Sequence, residues 1–245
     1  MISVVIPSKS KPHQSRFLLA AIESIRRQTE CEIIVAVDNL EVREFSGVKF
    51  VQGAGGQPNA CNAGAAAATG DYLCFLEDDD RWLPLRLPEA LEALKEGDFT
   101  SCTQLEVSTE GDVIRINDFP TPSGWMMRRK VWDEVGPFDP KFRYHLDNEW
   151  LGRLSRTDFR RIHLVEATAP QTYEEASLYR PWLASIVKQG GMYSSLKRTR
   201  SERPLIERLI HRGSNCGTLE HEPQSQKISQ NELKALTERY GFIPR

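Results

Sequence analysis

The order of apolar and polar residues predicts alternating strands and helices in the first hundred residues. Runs that are apolar throughout indicate buried strands, and apolar residues recurring at intervals of three and four indicate amphipathic helices. We predict strands at 2–6, 33–37, 48–51 and 72–76, and helices at about 18–25 and 59–69. Strands without polar alternation are typical of a parallel sheet covered by helices on both faces. The pattern therefore predicts an α/β fold.

The pattern becomes less regular in the rest of the chain. We predict helices at about 84–95, 128–135 and 147–155, a strand run at 99–107 and a short one at 113–116. A turn signal separates the two strand runs, so this part indicates a mixed sheet. From about residue 180, three helices are predicted near 180–189, 202–211 and 230–239.

Composition limits the class of protein. The 245 residues are 40% hydrophobic and 27% charged, with 32 basic and 34 acidic side chains, which is typical of a globular chain rather than a disordered one. The length fits one large α/β domain, alone or with a helical appendage.

The apolar runs are too short to cross a bilayer and the first residues do not resemble a secretion signal, so we expect a cytoplasmic protein. Five scattered cysteines without a CxxC pair predict neither a disulfide set nor a structural zinc site.

The segment 180–212 carries eight basic and two acidic side chains, an excess that the overall balance hides. A local positive field attracts the phosphates of a nucleic acid, a lipid diphosphate or an anionic membrane surface. The alternative is a solvated helical face that covers the edge of the domain. The sequence leaves both interpretations open.

Four consecutive carboxylates, Glu77 to Asp80, follow the fourth predicted strand. Ligands of parallel sheets bind beyond the carboxyl ends of the strands, which places this cluster at the expected site. Adjacent carboxylates repel one another unless a cation or hydrogen-bond donors offset their charge. Mn²⁺ or Mg²⁺ would fit, because hard cations prefer oxygen ligands and often complete their coordination with substrate phosphates. The alternative is a solvated acidic loop ahead of the next helix.

Six motifs between residue 2 and about residue 156 resemble, in order and spacing, those of family 2 glycosyltransferases. They are Val4-Val5-Ile6-Pro7-Ser8-Lys9, Val37-Asp38-Asn39, Asn62-Ala63-Gly64 followed by Gly70-Asp71, Glu77-Asp78-Asp79-Asp80, Gly136-Pro137-Phe138-Asp139, and Leu146-Asp147-Asn148-Glu149 followed by Arg153. The resemblance implies the GT-A (Rossmann-like) fold, a mixed and mostly parallel sheet flanked by helices. We expect a catalytic domain at 1–175, with a nucleotide-sugar half at 1–100 and an acceptor half at 101–175. A helical, locally basic C-terminal extension should follow at 176–245.

The resemblance also implies a mechanism and its residues. A nucleoside-diphosphate sugar, most simply a UDP-sugar, would donate its sugar to an acceptor hydroxyl with inversion, and Asp147 would act as the base. The acceptor would be a glycan, a lipid-linked glycan or a nucleic acid. Asp79 and Asp80 would hold Mn²⁺ or Mg²⁺ on the diphosphate. Asp38 would bind the base of the nucleotide and Asp78 the ribose or sugar. The full set of donor-binding residues would be Pro7, Ser8, Lys9, Asp38, Gly56, Asn62 and Asp78, and the acceptor would contact Trp125, His145 and Trp150.

Several of these residues also have a simpler structural interpretation. Asp147 could be the N-cap of the helix that follows it, Trp125 and Trp150 could be core residues, and Lys9 could be a solvated loop residue. No role is assigned to the remaining isolated histidines, His163, His211 and His221.

The chain also departs from the family pattern. Cys61 stands where an arginine is frequent, Glu77 replaces the first aspartate of the metal motif, and Leu146 replaces the glutamate of the ED motif. An inactive nucleotide-binding module is therefore an alternative, although the acidic cluster and Asp147 speak against it. A sugar nucleotidyltransferase is disfavoured, because the segment 7–10 lacks the glycine-rich loop that such enzymes carry after the first strand.

Overall fold

The computed structural model describes residues 1–9, 15–38, 45–53, 55–117, 119–166, 196–201 and 204–244. These residues form two β-sheets flanked by helices, the mixed α/β architecture expected from the sequence. The strands are β1 (Ile2–Ser8), β2 (Glu32–Val37), β3 (Val48–Gln52), β4 (Tyr72–Phe75), β5 (Arg81–Trp82), β6 (Phe99–Cys102), β7 (Gln104–Val107), β8 (Val113–Asn117), β9 (Met126–Arg128), β10 (Arg161–Glu166), β11 (Leu196–Ser201) and β12 (Ile206–Leu209). The helices are α1 (Ser15–Arg26), α2 (Gln57–Ala67), α3 (Arg86–Ala93), α4 (Arg129–Val135), α5 (Leu146–Leu154), α6 (Asn215–His221) and α7 (Pro223–Tyr240).

The larger sheet has eight strands in the order β11-β10-β6-β9-β4-β1-β2-β3. All neighbouring strands are parallel except β9, which runs antiparallel to both β4 and β6. The chain reverses its direction of progress across the sheet between β1 and β4. Such a switch point leaves a crevice at the carboxyl ends of the two strands, where ligands of open α/β sheets bind.

The smaller sheet has four strands in the order β5-β12-β7-β8. The predicted strand run at 99–107 forms two strands in different sheets. The chain leaves β6 in the large sheet at Thr103 and continues as β7 in the small sheet. The predicted helix near 202–211 is wrong. This stretch contains β12, which pairs in parallel with β7. Its apolar residues, Leu205, Ile206 and Leu209, are spaced as in a helix, and a run this short does not distinguish the two periods.

The C-terminal region is only partly the helical extension expected from the sequence. Strand β11 extends the large sheet beside β10 and β12 lies inside the small sheet, so residues 196–201 and 206–209 belong to the sheets. Helices α6 and α7 follow, and α7 contains the helix predicted at 230–239. The helix predicted at 180–189, and most of the basic segment, lie outside the described residues.

Two apolar clusters cover the two faces of the large sheet. Alternate residues of β1 divide between them, with Val4 and Ile6 facing the cluster that contains α1 and α3. Val5 faces the cluster that contains α2, α4, α5 and Leu236 of α7. Helix α7 is therefore packed into the core of the domain.

Gly64 allows α2 to pack closely on β1. A Cβ atom at this position would overlap Cγ1 of Val5, which is itself fully buried. We expect Gly64→Ala to destabilise the protein by about 1–3 kcal/mol, because overpacking outweighs the better helix propensity of alanine. Urea denaturation measures the change, and Ala66→Ser, at an exposed position of the same helix, is the control. A variant more stable than the wild type would contradict this account of the glycine.

Candidate active site

A cleft lies beyond the carboxyl ends of β1, β2 and β4. Its open volume, including solvent at the mouth, is about 550 Å³, within the usual range for small-molecule sites. Seven residues expected to bind donor or metal line it, namely Pro7, Ser8, Lys9, Asp38, Gly56, Asp78 and Asp79. The lining also includes Gln57, Ala60, Glu77, Gly213 and Ser214. The fold thus brings the ends of three strands and the segment near residue 214 together around this cleft.

The four consecutive carboxylates point in different directions and have different partners. Asp78 accepts a hydrogen bond of 2.6 Å from the hydroxyl of Ser8 at the end of β1. Glu77 accepts one of 3.0 Å from the amide of Gln57 in the first turn of α2. Asp80 is buried, and one of its oxygens accepts a hydrogen bond of 2.5 Å from the hydroxyl of Ser123. The cluster is therefore fixed by elements from both halves of the domain.

Three of these carboxylates could hold one metal ion. Each of Glu77, Asp79 and Asp80 offers an oxygen, and these oxygens lie within 4.8 Å of one another. A set of carboxylate oxygens with partly exposed members fits a hard divalent cation that also binds phosphate and water. The sequence prediction named Asp79 and Asp80, and the structure adds Glu77 to this group.

Burial and mutual repulsion raise the pKa values within the cluster. The pKa of Asp78 rises to about 7, first because of burial and then because of the negative charge of Asp79. The same two causes raise the pKa of Glu77 and, more strongly, that of Asp80. A divalent cation would remove this repulsion, so the cluster is poised to bind positive charge.

His211, to which the sequence analysis assigns no role, lies beside the acidic cluster. Its Nε2 lies 2.9 Å from Oδ2 of Asp79, and this contact raises the pKa of the imidazole. Phe17 of α1 stacks on the ring, with centroids 5.7 Å apart. No local motif connects residues 79 and 211, so the sequence carried no signal for this pair.

Asp147 lies in the first turn of α5 and is 7% exposed. Its Oδ1 accepts a hydrogen bond of 2.8 Å from the backbone N–H of Asn148. The N-cap of α5 is His145, so the alternative that Asp147 caps the helix is wrong, although its charge still favours the helix N-terminus. Burial raises the pKa of Asp147, and the nearby His145 and Arg208 oppose that shift. A buried carboxylate with a raised pKa can take up a proton.

The positive charge of Arg208 acts on both the acidic cluster and Asp147. Arg208 lies in β12, in register with Glu106 of β7, and its Nη1 is 3.4 Å from Oε1 of that residue. Its positive charge lowers the pKa values of Glu77, Asp80 and Asp147. The sequence analysis predicts a helix around Arg208. It gives no indication that this side chain lies near the carboxylates.

The burial of Trp125 and Trp150 argues against the acceptor-binding role expected for them. Both side chains are fully buried, and their rings lie 5.0 Å apart in an aromatic cluster with Phe99 and Phe138. Their indole N–H groups donate to the carbonyls of Pro120 and Gly136. The simpler alternative, that they are core residues, describes both.

Asn62 and His145 are engaged by the protein itself. The amide of Asn62 donates to the carbonyl of Phe138 and accepts from its N–H, at 2.9 and 2.8 Å, so it clamps the turn at 136–139 to α2. The two ring nitrogens of His145 contact Oδ1 of Asn148 at 3.0 Å and Oγ of Ser229 at 2.7 Å. Neither residue lines the donor cleft. We therefore assign both side chains a structural role near the cleft.

The comparison with protein families decides the class of this protein. A model described as glycosyl transferase family 2 matches residues 3–142. The chain belongs to this family. An uncharacterized glycosyltransferase of Nostoc sp. is 31% identical over 185 residues, which cover 60% of this chain and 56% of that protein. The chain thus aligns with little more than half the length of that curated relative.

Solved structures support the GT-A fold of this family member. S. aureus TarS 1–349 in complex with UDP-GlcNAc matches with a TM-score of 0.56 at 13% identity, over 98% of this chain and 73% of that one. The TarS complex with UDP matches with a TM-score of 0.56 at 12% identity, over 98% and 72% of the two chains. Among the described residues, we find no helix with the length and hydrophobicity needed to cross a bilayer.

Proposed function

We propose that this glycosyltransferase transfers a sugar from a UDP-sugar to an acceptor hydroxyl, with inversion, in a reaction that depends on Mn²⁺ or Mg²⁺. The observation that carries the proposal is the convergence of three carboxylates at the sheet switch point, where Glu77 and Asp79 line the cleft and Asp80 lies buried beside them. The UDP and UDP-GlcNAc complexes of TarS, which has the same fold, support a uridine nucleotide as donor.

The donor would lie across the strand ends. Asp38 follows β2 and would accept a hydrogen bond from the base, and Asp78, held by Ser8, would contact the ribose or the sugar. Gly56 precedes α2 and carries no side chain that caps the helix, so a phosphate could approach the backbone closely at this helix N-terminus. Lys9 adds a positive charge to the same wall.

The acidic triad would hold the metal, with Asp79 oriented by His211. When bound, a divalent cation stabilises the negative charge that develops on the departing diphosphate. The triad must be ionised to bind, and Arg208 favours ionisation of Glu77 and Asp80.

Asp147 would take the proton of the acceptor hydroxyl as its oxygen attacks the anomeric carbon. The buried position gives this carboxylate a raised pKa and hence a stronger basicity than an exposed aspartate. Inversion follows if the acceptor approaches from the face opposite the leaving diphosphate. The base would thus come from the acceptor half (101–175), and most donor contacts from the first hundred residues.

For the acceptor we retain a glycan, a lipid-linked glycan or a nucleic acid as candidates, and the excess positive charge of the segment 180–212 would attract one that bears phosphate. With Trp125 and Trp150 in the core, other side chains must provide the acceptor contacts.

A panel of nucleotide sugars tests the donor and the metal together. We expect hydrolysis of at least one UDP-sugar in the presence of Mn²⁺, measured as released UDP, and loss of that activity when EDTA removes the metal. Activity that persists in EDTA would contradict the metal assignment. The absence of turnover, together with metal-independent binding of UDP in calorimetry, would favour an inactive nucleotide-binding module. Pyrophosphate release from UTP and a sugar 1-phosphate would instead identify a nucleotidyltransferase.

A further inference from the structure

One buried carboxylate of the C-terminal helix holds the segment that leads into α5. Glu232 of α7 accepts hydrogen bonds from the backbone N–H groups of Arg143, Tyr144 and His145, at 2.7, 2.9 and 3.0 Å. Glu232 is 6% exposed. The three donors immediately precede the helix whose first turn carries Asp147.

Side-chain contacts from the same C-terminal region reinforce this attachment. Ser229, one turn before Glu232 in α7, contacts Nε2 of His145, the N-cap residue of α5. The Tyr144 hydroxyl donates to Ser225 at 2.7 Å. The amide of Asn148 donates to the carbonyl of Pro244 and its oxygen faces His145. Both residues that flank Leu146 and Asp147 are thus fixed by the last twenty residues of the described chain.

We propose that Glu232 is a positioning residue for Asp147 and that α7 sets the place of the base in the active site. This inference rests on the proposed function, in which Asp147 accepts the proton. Three N–H donors on one carboxylate form a charge-assisted arrangement that restricts the backbone at 143–145. Since Asp147 follows that backbone by two residues, any rotation of the segment moves its carboxylate. Small displacements of a catalytic group are costly to turnover. The donor cleft contains no residue of α7, so we expect it to keep its shape.

The variant Glu232→Gln tests the proposal. The amide keeps the size of the side chain but replaces one accepting oxygen with an N–H₂ group, which faces N–H donors. With the UDP-sugar preferred by the wild type, we expect kcat for hydrolysis to fall about 10- to 100-fold. The affinity for UDP in the presence of Mn²⁺, measured by calorimetry, should stay within about twofold of the wild type, because the donor cleft draws no residue from α7. General unfolding would lower both quantities, so a lower kcat with unchanged UDP affinity indicates a positioning role.

Glu238→Gln is the matched control. It makes the same chemical change on the same helix, at an exposed side chain that lies 3.8 Å from Lys234. We expect this variant to behave as the wild type. Equal kcat values for the two glutamine variants would overturn the proposal. A parallel loss of kcat and of UDP affinity in Glu232→Gln would also overturn it, because it would indicate a general structural role.

Ser229→Ala covers the case in which Glu232→Gln fails to fold. It removes only the hydroxyl at Nε2 of His145, and we expect a fall of kcat with unchanged affinity for UDP. Unchanged kcat in Ser229→Ala would then overturn the proposal. A wild-type protein that binds UDP but turns over no UDP-sugar would contradict the proposed function itself, and this inference with it.

Discussion

Asp147→Asn should lower turnover by about 10²- to 10⁴-fold while leaving donor binding intact. Asparagine has nearly the same shape, and its carbonyl oxygen can still accept the N–H of Asn148, which now bonds to Oδ1 at 2.8 Å. It cannot take up the acceptor proton. The measurements are kcat at saturating UDP-sugar and the affinity for UDP with Mn²⁺ by calorimetry.

Asp133→Asn provides the control for this variant. Asp133 is an exposed residue of α4, and its replacement removes the same charge from a position away from the cleft. We expect wild-type kinetics for it. Near-normal turnover of Asp147→Asn would show that another group acts as the base, and weaker UDP binding would show that Asp147 belongs to the donor site.

Asp79→Ala should abolish the metal-dependent part of UDP binding. Changing a residue that merely supports a metal ligand costs about 10- to 100-fold in metal affinity, so removal of a ligand carboxylate should weaken UDP binding with Mn²⁺ by at least about 100-fold. Titration of UDP into the variant, with Mn²⁺ and with EDTA, measures the effect. The two titrations should give the same weak binding.

The same variant should keep its fold. The negative charge of Asp79 raises the pKa values of Glu77, Asp78 and Asp80, which means that the carboxylates repel one another in the free protein. Its removal relieves that repulsion and gives up the contact with His211. We expect the melting temperature without ligand to be close to that of the wild type, with Asp112→Ala, at an exposed turn, as the control. Metal-dependent UDP binding that survives in Asp79→Ala would contradict the assignment of the metal site.

The cleft could be located from the sequence because strand ends line much of it. Ser8, Asp38 and the cluster at 77–80 each follow a strand that the apolar pattern predicts. Parallel strands end at the same edge of a sheet, so these residues had to lie together. The family motifs supplied the same positions independently, and a model of that family matches residues 3–142.

The roles of single side chains were harder to predict. Trp125 and Trp150 were expected near the acceptor and lie in the core, because tryptophan in a sequence does not reveal whether its face will be covered. Residues 206–209 were expected in a helix and form a strand, because pairing with β7 outweighs a short and ambiguous apolar pattern.

The sequence by itself determined the α/β class, the edge of the sheet that carries the site and the acidic cluster, since each follows from residues close together in the chain. Only the tertiary structure brought His211 to Asp79, across 132 residues, and Glu232 to the backbone of Tyr144, across 88. It also placed Arg208 among the carboxylates. Such contacts depend on how strands and helices pack after they form, and periodicity and local motifs describe only the elements themselves.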